Sequence, residues 1–424
     1  MDRYKTEVSK IFTDENLFKT RLLVEKNWLY MLKEFNLFSF KKGFVSDPTY
    51  ARYLELENET KHDVAGLIKS IEEATDDINI KRFVHFGLTS QDINDTAQTL
   101  QLLEAHTYLL SSSKKIISKL RKLTSKYKST LCIARTHGQH AIPITIGFKF
   151  ANFLHDWHHL VFRFNEASKL LKGKYSGAVG TSASLDSVGL DSVDLEKDAL
   201  KELNLEPNLI NTQTMTRIYL VEYLQSVVNL TCQMEKIAKE IRNLQRTEIG
   251  ELYEEFKDKS QIGSSAMPQK RNPIACENIC GLARIIRAQL GPLMETISLE
   301  HERDLTNSSV ERIEVSTIMI LTHYMMERLI KVLKTLRVNT SRCFNNLYML
   351  NGRELSEKVL TTLIWSKNLS RTEAHEFLNR DQKTDFREQL KTYFNDDEID
   401  DLLDHHKYLG KCYRTINAVL EKCT

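Results

Sequence analysis

Proline and glycine are scarce in this chain. Its 424 residues include six prolines and 15 glycines, below the average usage of about 5% and about 7%. Both residues interrupt helices, proline by removing a backbone donor and glycine by its conformational freedom. Their scarcity permits long uninterrupted helices.

The chain also lacks a charge bias and a long apolar run. Lys plus Arg number 59 and Asp plus Glu 57, a net charge of +2 that gives no general attraction to nucleic acid or anionic membranes. The first residues, MDRYKTEVSKIF, lack the apolar core of a signal peptide, and no run of about 18 apolar residues could span a membrane. We therefore expect a soluble, unexported protein with no nucleic-acid or membrane partner, in which local cations hold any anionic ligand.

The seven cysteines form no recognisable framework. Their number is odd, and only Cys276 and Cys280 lie close together, without the second pair that a zinc site needs. Buried free thiols are the better interpretation, which fits a reducing compartment and favours a cytoplasmic protein.

Apolar residues recur at helical spacing along three long stretches, 100–127, 215–256 and 310–336. The chain is 41% apolar and 27% charged, an ordinary globular balance. Helices of this length bury their apolar faces only against equally long partners, in the same chain or in sister subunits. The sequence therefore predicts an all-α fold with a central bundle of long helices, and an oligomer.

Two turn-like positions divide the chain. GLTSQ ends just before Asp92, and Asn351-Gly352 precedes a stretch of shorter helices. They predict an N-terminal helical domain over 1–91, a central bundle over 92–351 and a C-terminal helical domain over 352–424. Within the bundle, the small residues of 175–189 are typical of a loop.

Residues 261–278, QIGSSAMPQKRNPIACEN, form the most unusual segment. One interpretation is an interhelical turn with Pro273 at the first position of the next helix. The segment is longer than the roughly 2 to 8 residues that usually join neighbouring helices in bundles. Its hydroxyls, cations and amides favour the other interpretation, a functional loop.

Two further segments combine groups that can carry chemistry. His137 and His140 flank a Gly-Gln pair in ARTHGQHA, as structural histidines or as part of a site; no third ligand stands at a spacing suited to a metal. Thr89 and Ser90 precede Asp92 at a predicted helix start. There they either cap the helix or offer hydroxyls and N–H groups to a carboxylate.

These segments resemble a known group of enzymes. Residues 263–273, GSSAMPQKRNP, are similar to the signature loop of the fumarase/aspartase superfamily of fumarate-releasing lyases. Within it, the whole set of motifs resembles the adenylosuccinate lyase family. In chain order the motifs are RY at 3–4, TDEN at 13–16, KHDV at 61–64, GLTSQD at 87–92, RTHGQHA at 135–141, GAVGT at 177–181, QT at 213–214 and HERDLTNSSVER at 301–312.

The resemblance implies a homotetramer of three-domain helical subunits, with active sites shared by three subunits and with no cofactor or metal. It implies cleavage of adenylosuccinate to AMP and fumarate, and a similar cleavage of succinylaminoimidazole-carboxamide ribotide, in purine biosynthesis. Such a β-elimination needs a base for a weakly acidic C–H, an acid for the leaving nitrogen, and cations for the aci-carboxylate that forms between them.

The catalytic roles follow from the same resemblance. Ser264 is the implied base on a closing loop, and Lys270 and Asn272 are the implied stabilisers of the aci-carboxylate. His137 is the implied acid toward the purine nitrogen, and Glu277 is the carboxylate that orients it.

The resemblance also implies the substrate contacts. His62 is a second active-site histidine near the substrate phosphate or the reacting region. Arginines suit phosphate because their fork donates two hydrogen bonds at once. The implied contacts are Thr89, Ser90, Thr136 and Gln213 for the succinyl and purine groups, and Arg3, Tyr4, Arg303, Ser308 and Arg312 for the nucleotide and its phosphate, with Lys61, Asp63, Ser265 and Met267 completing the set.

The sequence departs from the family pattern at two positions. Lys61 stands where many relatives carry Arg, and Gln269 where they carry His or Tyr; Gln at that loop position also occurs in argininosuccinate lyases. The alternatives are another fumarate-releasing lyase, such as argininosuccinate lyase, a carboxymuconate cycloisomerase, or a catalytically silent homologue or helical scaffold. The intact set of catalytic residue types argues against the silent forms.

Overall fold

Long helices dominate the computed structural model, which describes residues 2–38, 47–255, 266–267, 269–380 and 384–423. The α-helices of these residues are α1 Glu7–Ile11, α2 Asp14–Glu34, α3 Tyr50–Thr60, α4 Asp63–Glu73, α5 Ile78–Phe83, α6 Ser90–Lys126, α7 Ile146–Ser168, α8 Ala183–Asp186, α9 Ser192–Glu202, α10 Arg217–Leu244, α11 Ile274–Glu295, α12 Thr306–Thr335, α13 Thr340–Leu347, α14 Ser356–Ser366, α15 Arg371–Asn379, α16 Phe386–Leu390, α17 Asp396–Leu402 and α18 Cys412–Lys422. The strands are β1 Leu131–Thr136, β2 Gln139–Thr145, β3 Leu252–Tyr253 and β4 Arg337–Val338. The predicted all-α class is confirmed.

The three predicted long helices are present, and one of them is shorter than predicted. Residues 100–127 lie almost wholly in α6, and residues 310–336 in α12. Helix α10 ends at Leu244 instead of continuing toward Phe256, because the chain turns at Gly250, whose φ is +62°. The following residues pair as β3 with β4, which the helical periodicity did not predict.

The chain divides into two compact units, each built from three stretches. Unit 1 comprises residues 1–112, 160–232 and 282–326, and unit 2 comprises residues 113–159, 233–281 and 327–424. Five long helices, α6, α7, α10, α11 and α12, contribute residues to both units. The division into three domains at 92 and 351 stays a prediction.

In unit 1 the long helices pack through large buried side chains. The His106 ring on α6 lies 4.2 Å from that of Phe164 on α7, and Phe164 lies 5.8 Å from Tyr223 on α10. Trp28 on α2 stacks on Tyr175 at 4.9 Å, and both are fully buried. These contacts fix the helices of unit 1 that carry or adjoin its functional segments.

In unit 2 the same helices meet through polar contacts and a second core. Trp157 on α7 donates to the carbonyl of Ser113 on α6 at 3.2 Å, and Lys149 on α7 pairs with Glu240 on α10 at 2.9 Å. The C-terminal helices have a hydrophobic cluster of their own, centred on fully buried residues such as Leu363.

All seven cysteines are free thiols, and six of them are buried, as the sequence predicts; Cys232 is half-buried. Burial raises the pKa of Cys423 and of other buried thiols, which keeps them protonated and unreactive. Within the described ranges, no helix is both long and apolar enough to cross a membrane.

Candidate active site

The predicted helix start at Thr89 and Ser90 is confirmed in unit 1. Helix α6 begins at Ser90, and the backbone N–H of Thr89 donates to Asp92 Oδ2 at 2.7 Å. The hydroxyl of Ser90 lies 3.5 Å from His62 Nε2. The start of a 37-residue helix, where Thr89 and Ser90 supply hydroxyls, therefore faces a histidine.

His62 is the N-cap of α4, and its position fixes its preferred tautomer. Its Nδ1 accepts from the N–H of Ala65 at 3.3 Å. A neutral ring that accepts at Nδ1 carries its proton at Nε2, on the side of Ser90. Lys61, just before it, has a left-handed backbone with φ +55° and donates to Asn58 at 2.8 Å.

Asp63 links a buried arginine with an exposed one. Arg21 donates to Asp63 Oδ2 at 2.7 Å, and Arg312 donates to the same oxygen at 3.2 Å. Burial opposes ionisation of Asp63, but Arg21, the N–H of Val64 and Arg312 outweigh it and hold the pKa of Asp63 below its ordinary value. Arg21, Asp63, Ser308 and Arg312 line a cavity of about 390 Å³.

Arg303 and Gln213, two predicted substrate contacts, touch each other. Arg303 Nη1 donates to Gln213 Oε1 at 3.0 Å, and the N–H of Gln213 donates to the carbonyl of Glu302 at 3.3 Å. Burial lowers the pKa of the Arg303 guanidinium. Among the described residues none accepts from its buried Nε.

A buried ionic triad supports the segments that carry these residues. Arg217, at the start of α10, donates to Asp95 on α6 at 2.9 Å and to Glu311 on α12 at 2.7 Å. Asn307 donates to Glu311 at 2.8 Å. The triad fixes the first turns of α10 and α12, next to Gln213 and within one turn of Ser308 and Arg312.

Arg3 and Tyr4 lie apart from the lining of the 390 Å³ cavity. They belong to a short 3₁₀ turn, Asp2–Tyr4, and the Tyr4 ring packs edge-on against Tyr324 of α12 at 5.1 Å. Arg3 is exposed. Of these two predicted nucleotide contacts, Tyr4 therefore packs on another part of α12 than the turns that carry Ser308 and Arg312.

In unit 2, His137 occupies the tip of a β-hairpin. Strands β1 and β2 pair up to Thr136 and Gln139, and the two residues between them, His137 and Gly138, have φ +54° and +77°. Two left-handed residues in a two-residue connection make a type I′ turn, which matches the twist of the strands. His137 and Thr136 are both exposed at this tip.

An ion pair anchors the base of that hairpin. Arg135 donates to both carboxylate oxygens of Glu251, at 2.7 and 3.1 Å, and Glu251 is fully buried. Asn346 donates to Glu251 at 2.7 Å. Paired planar groups of this kind fix an orientation as well as a distance.

Four predicted residues of the loop region line one cavity of unit 2: Met267, Lys270, Asn272 and Glu277. Glu277 lies in the first turn of α11, where its N–H donates to the carbonyl of Pro273 at 2.9 Å. Helix α11 thus begins one residue after Pro273, close to the predicted start. Arg242, Arg246, Arg271 and Arg337 line the same cavity, whereas Ser264 and Ser265 lie outside the described residues.

The described site residues therefore form two groups, one in each unit. Unit 1 holds the groups suited to a helix-start carboxylate and to a phosphate, and unit 2 holds the hairpin histidine and the loop cations. The sequence reasoning did not predict Arg21, Arg135, Arg217 or Glu251. Arg135 stood inside a motif, but all four have their charged partners far away in the sequence. Across the described ranges, no group of three or more His, Cys, Asp or Glu could hold a metal ion.

Comparison with known proteins identifies the class. A family model described as lyase matches residues 54–287. The solved 3-carboxy-cis,cis-muconate lactonizing enzyme of Pseudomonas putida has the same fold, with a TM-score of 0.87, 25% identity, and coverage of 100% of this chain and 98% of that one. The fold and the matched region are those of the fumarase/aspartase superfamily.

Curated relatives narrow the class to one family. An adenylosuccinate lyase of Archaeoglobus fulgidus is 37% identical over 99% of this chain and 96% of its own length. One from a Synechocystis species is 37% identical over 88% of this chain and 86% of its own length. The chain belongs to the adenylosuccinate lyase family and is a carbon–nitrogen lyase.

Proposed function

We propose that the protein cleaves adenylosuccinate to AMP and fumarate, and succinylaminoimidazole-carboxamide ribotide in the same manner, in purine biosynthesis. One observation carries the proposal: the adjacent residues His62 and Asp63 contact Ser90 on one side and Arg312 on the other. A helix start suited to a carboxylate thus lies beside an arginine suited to a phosphate. A succinylated nucleotide carries both anions.

The described charges support a phosphate at Arg312. Asp63 is already neutralised by the buried Arg21, at 2.7 Å, so it competes weakly for Arg312. Arg312 is 65% exposed at its side chain and pairs with Asp63 at a longer 3.2 Å. A phosphate can therefore take over this guanidinium without leaving Asp63 as an isolated buried charge.

The proposed mechanism assigns one task to each group. Ser264 removes a proton from the succinyl CH₂, the carbon next to the one that bears the nitrogen, and Lys270 and Asn272 stabilise the aci-carboxylate that results. His137, oriented by Glu277, donates a proton to the leaving purine nitrogen as the C–N bond breaks. The electron pair of the C–H bond becomes the fumarate double bond, so atoms and charge balance without an external redox partner.

The proposal includes a cytoplasmic homotetramer whose sites are shared between subunits. Its support is membership of the adenylosuccinate lyase family, whose resemblance implies this assembly. The free, mostly buried thiols support a reducing compartment.

A direct assay tests the function. Purified protein is mixed in parallel with adenylosuccinate, with the ribotide and with argininosuccinate, and the ultraviolet absorbance of the purine, of the aminoimidazole and of fumarate is followed. We expect turnover of the first two substrates and none of the third. Turnover of argininosuccinate alone would replace the proposal with the argininosuccinate lyase alternative, and no fumarate from any of them would support a silent homologue.

Replacing Arg303 with alanine is expected to raise KM for adenylosuccinate roughly 10- to 100-fold, with a smaller change in kcat, because one hydrogen bond to a charged group is worth about 1.5 to 3 kcal/mol. Steady-state rates over a range of substrate concentration measure both constants. Arg52→Ala is the matched control, because the partners of Arg52 among the described residues are surface carboxylates of unit 1, such as Glu73 at 2.7 Å. Equal KM values for both variants would remove Arg303 from the phosphate site.

A further inference from the structure

The GAVGT motif has no role in the proposed chemistry, yet it packs against two segments that do. We define the three-loop platform as residues 87–92, 176–181 and 211–214, all in unit 1. The first segment carries Thr89 and Ser90, and the last carries Gln213. The middle segment, which includes GAVGT, lies against both.

A fully buried ion pair joins the first two loops. Asp92 and Lys174 both have side chains with 0% exposure, and the ammonium of Lys174 donates to Asp92 and, at 3.1 Å, to the carbonyl of Gly177. Asp92 also accepts from the N–H of Thr89 at 2.7 Å, of Ser176 at 2.9 Å and of Gly177 at 3.2 Å. One carboxylate therefore holds the backbone of two loops.

Glycines let the loops approach backbone to backbone. A Cβ on Gly177, whose φ is +74°, would lie 3.2 Å from the carbonyl oxygen of Gly87. A Cβ on Gly180, whose φ is +81°, would lie 2.2 Å from the carbonyl oxygen of Asn211. The Asn211 amide in turn donates to the Ser176 hydroxyl at 3.2 Å. The three loops thus pack so closely that little room is left for a side chain at either glycine.

Stability alone is a weak reason for such a pair. Removing two charges from water costs free energy that their attraction only partly returns, and apolar replacements are often neutral or stabilising. Burial raises the pKa of Asp92, while Lys174 and the N–H groups of Thr89 and Ser176 oppose this effect. Asp92 accepts from three backbone N–H groups at fixed positions, and an apolar side chain in its place could not.

We infer that Asp92 and Lys174 are positioning residues that set the carboxylate-binding geometry of the Thr89-Ser90 turn by locking it to the 176–181 loop. The inference rests on the proposed function, in which this turn binds the succinyl group. Neither residue touches the substrate. Their loss acts on the affinity for the dicarboxylate, whereas the phosphate contacts at Arg312 keep their own support from Arg21 and Asp63.

Product inhibition measures the binding of these two ends of the substrate separately, because fumarate is one product and AMP the other. For the wild type, Asp92→Asn and Lys174→Met, we would measure the inhibition constants of fumarate and AMP together with KM and kcat. We expect the fumarate constant and KM to rise about tenfold or more, the equivalent of losing one charged hydrogen bond. The inhibition constant of AMP is expected to stay within about twofold of the wild-type value. This is well under the roughly tenfold change that loss of one such hydrogen bond would cause.

Tyr175→Phe is the matched control. Its hydroxyl is buried, and its single proton can go to the carbonyl of Val24 at 3.0 Å or to Asn27 Oδ1 at 2.9 Å, so its loss removes a buried hydrogen bond without touching the platform contacts of Asp92. We expect this variant to lower the thermal midpoint and to leave the ratio of the two inhibition constants unchanged. A change of that ratio in Tyr175→Phe as large as in Lys174→Met would overturn the inference, since it would show a general structural effect.

A second variant keeps the test decisive if the charge variants fail to fold. Gly177→Ala adds one methyl group at a left-handed position, 3.2 Å from the Gly87 carbonyl, and leaves both charges in place. It is expected to give the same selective loss of fumarate affinity, and parallel weakening of fumarate and AMP would contradict the inference. If the wild type failed to cleave adenylosuccinate, calorimetric titration with fumarate and with AMP would still compare the variants, so failure of the function and of the positioning role remain distinct.

Discussion

Replacing His137 with glutamine is expected to lower kcat for adenylosuccinate about 10²- to 10⁴-fold, the usual contribution of a positioned acid or base. Glutamine keeps a polar side chain at the hairpin tip but cannot protonate the leaving nitrogen. Helix content is expected to stay the same, because His137 is exposed and lies outside every helix. Steady-state rates and circular dichroism of the same preparations measure both quantities.

His140→Gln is the matched control, because His140 lies on strand β2 of the same hairpin, three residues further on. It is expected to keep kcat within the same order of magnitude as the wild type. Near-normal turnover in His137→Gln, or an equal loss in both variants, would remove His137 from the acid role.

His137→Gly adds a second readout. A left-handed backbone costs a residue other than glycine of the order of 1 kcal/mol, and His137 has φ +54°. Glycine relieves that cost, so the thermal midpoint is expected to stay unchanged or rise while turnover is lost. A stable, inactive variant would show that the chain keeps histidine here for its chemistry.

Replacing Ser264 with alanine is expected to have the largest effect, a loss of kcat of about 10³-fold or more, because elimination cannot begin without a base. The expectation comes from the sequence, since Ser264 lies outside the described residues. Ser125→Ala, an exposed serine of α6, controls for the substitution itself.

Mixing the two inactive proteins tests the shared site. When Ser264→Ala and His137→Gln subunits are unfolded, mixed and refolded together, some sites are expected to combine an intact Ser264 from one chain with an intact His137 from another. A fraction of wild-type activity should return. Activity no higher than that of the separately refolded variants would indicate that both groups come from one chain.

The sequence predicted those parts of the fold that local periodicity controls. Helix α6 spans the predicted stretch because its apolar positions repeat over many turns, and the start at Ser90 was visible as a hydroxyl pair before an acidic residue. The β1–β2 hairpin was missed as strands, since each strand is short and its residues do not alternate regularly between buried and exposed. The turn at Gly250 that follows α10 leads into Glu251, whose burial against Arg135 no local pattern indicates.

The candidate site divides in a similar way. Motif residues such as His62, Ser90 and Arg312 were identified from the sequence, yet their mutual contacts appear only in three dimensions. Arg21 and Lys174 carry no local sign of function. Their partners stand 42 and 82 residues away, so only the fold identifies them.

The close approach of Gly180 to Asn211 has a consequence for inherited or engineered variation. A side chain at Gly180 would press on the backbone of Asn211, two residues before Gln213. A substitution at Gly180 is therefore expected to displace Gln213 and to weaken binding through it. A survey that ranks positions by distance from the ligand would score this glycine as neutral. The space between the two backbones limits which side chain this position accepts. Every amino acid other than glycine has a Cβ atom that this space cannot hold.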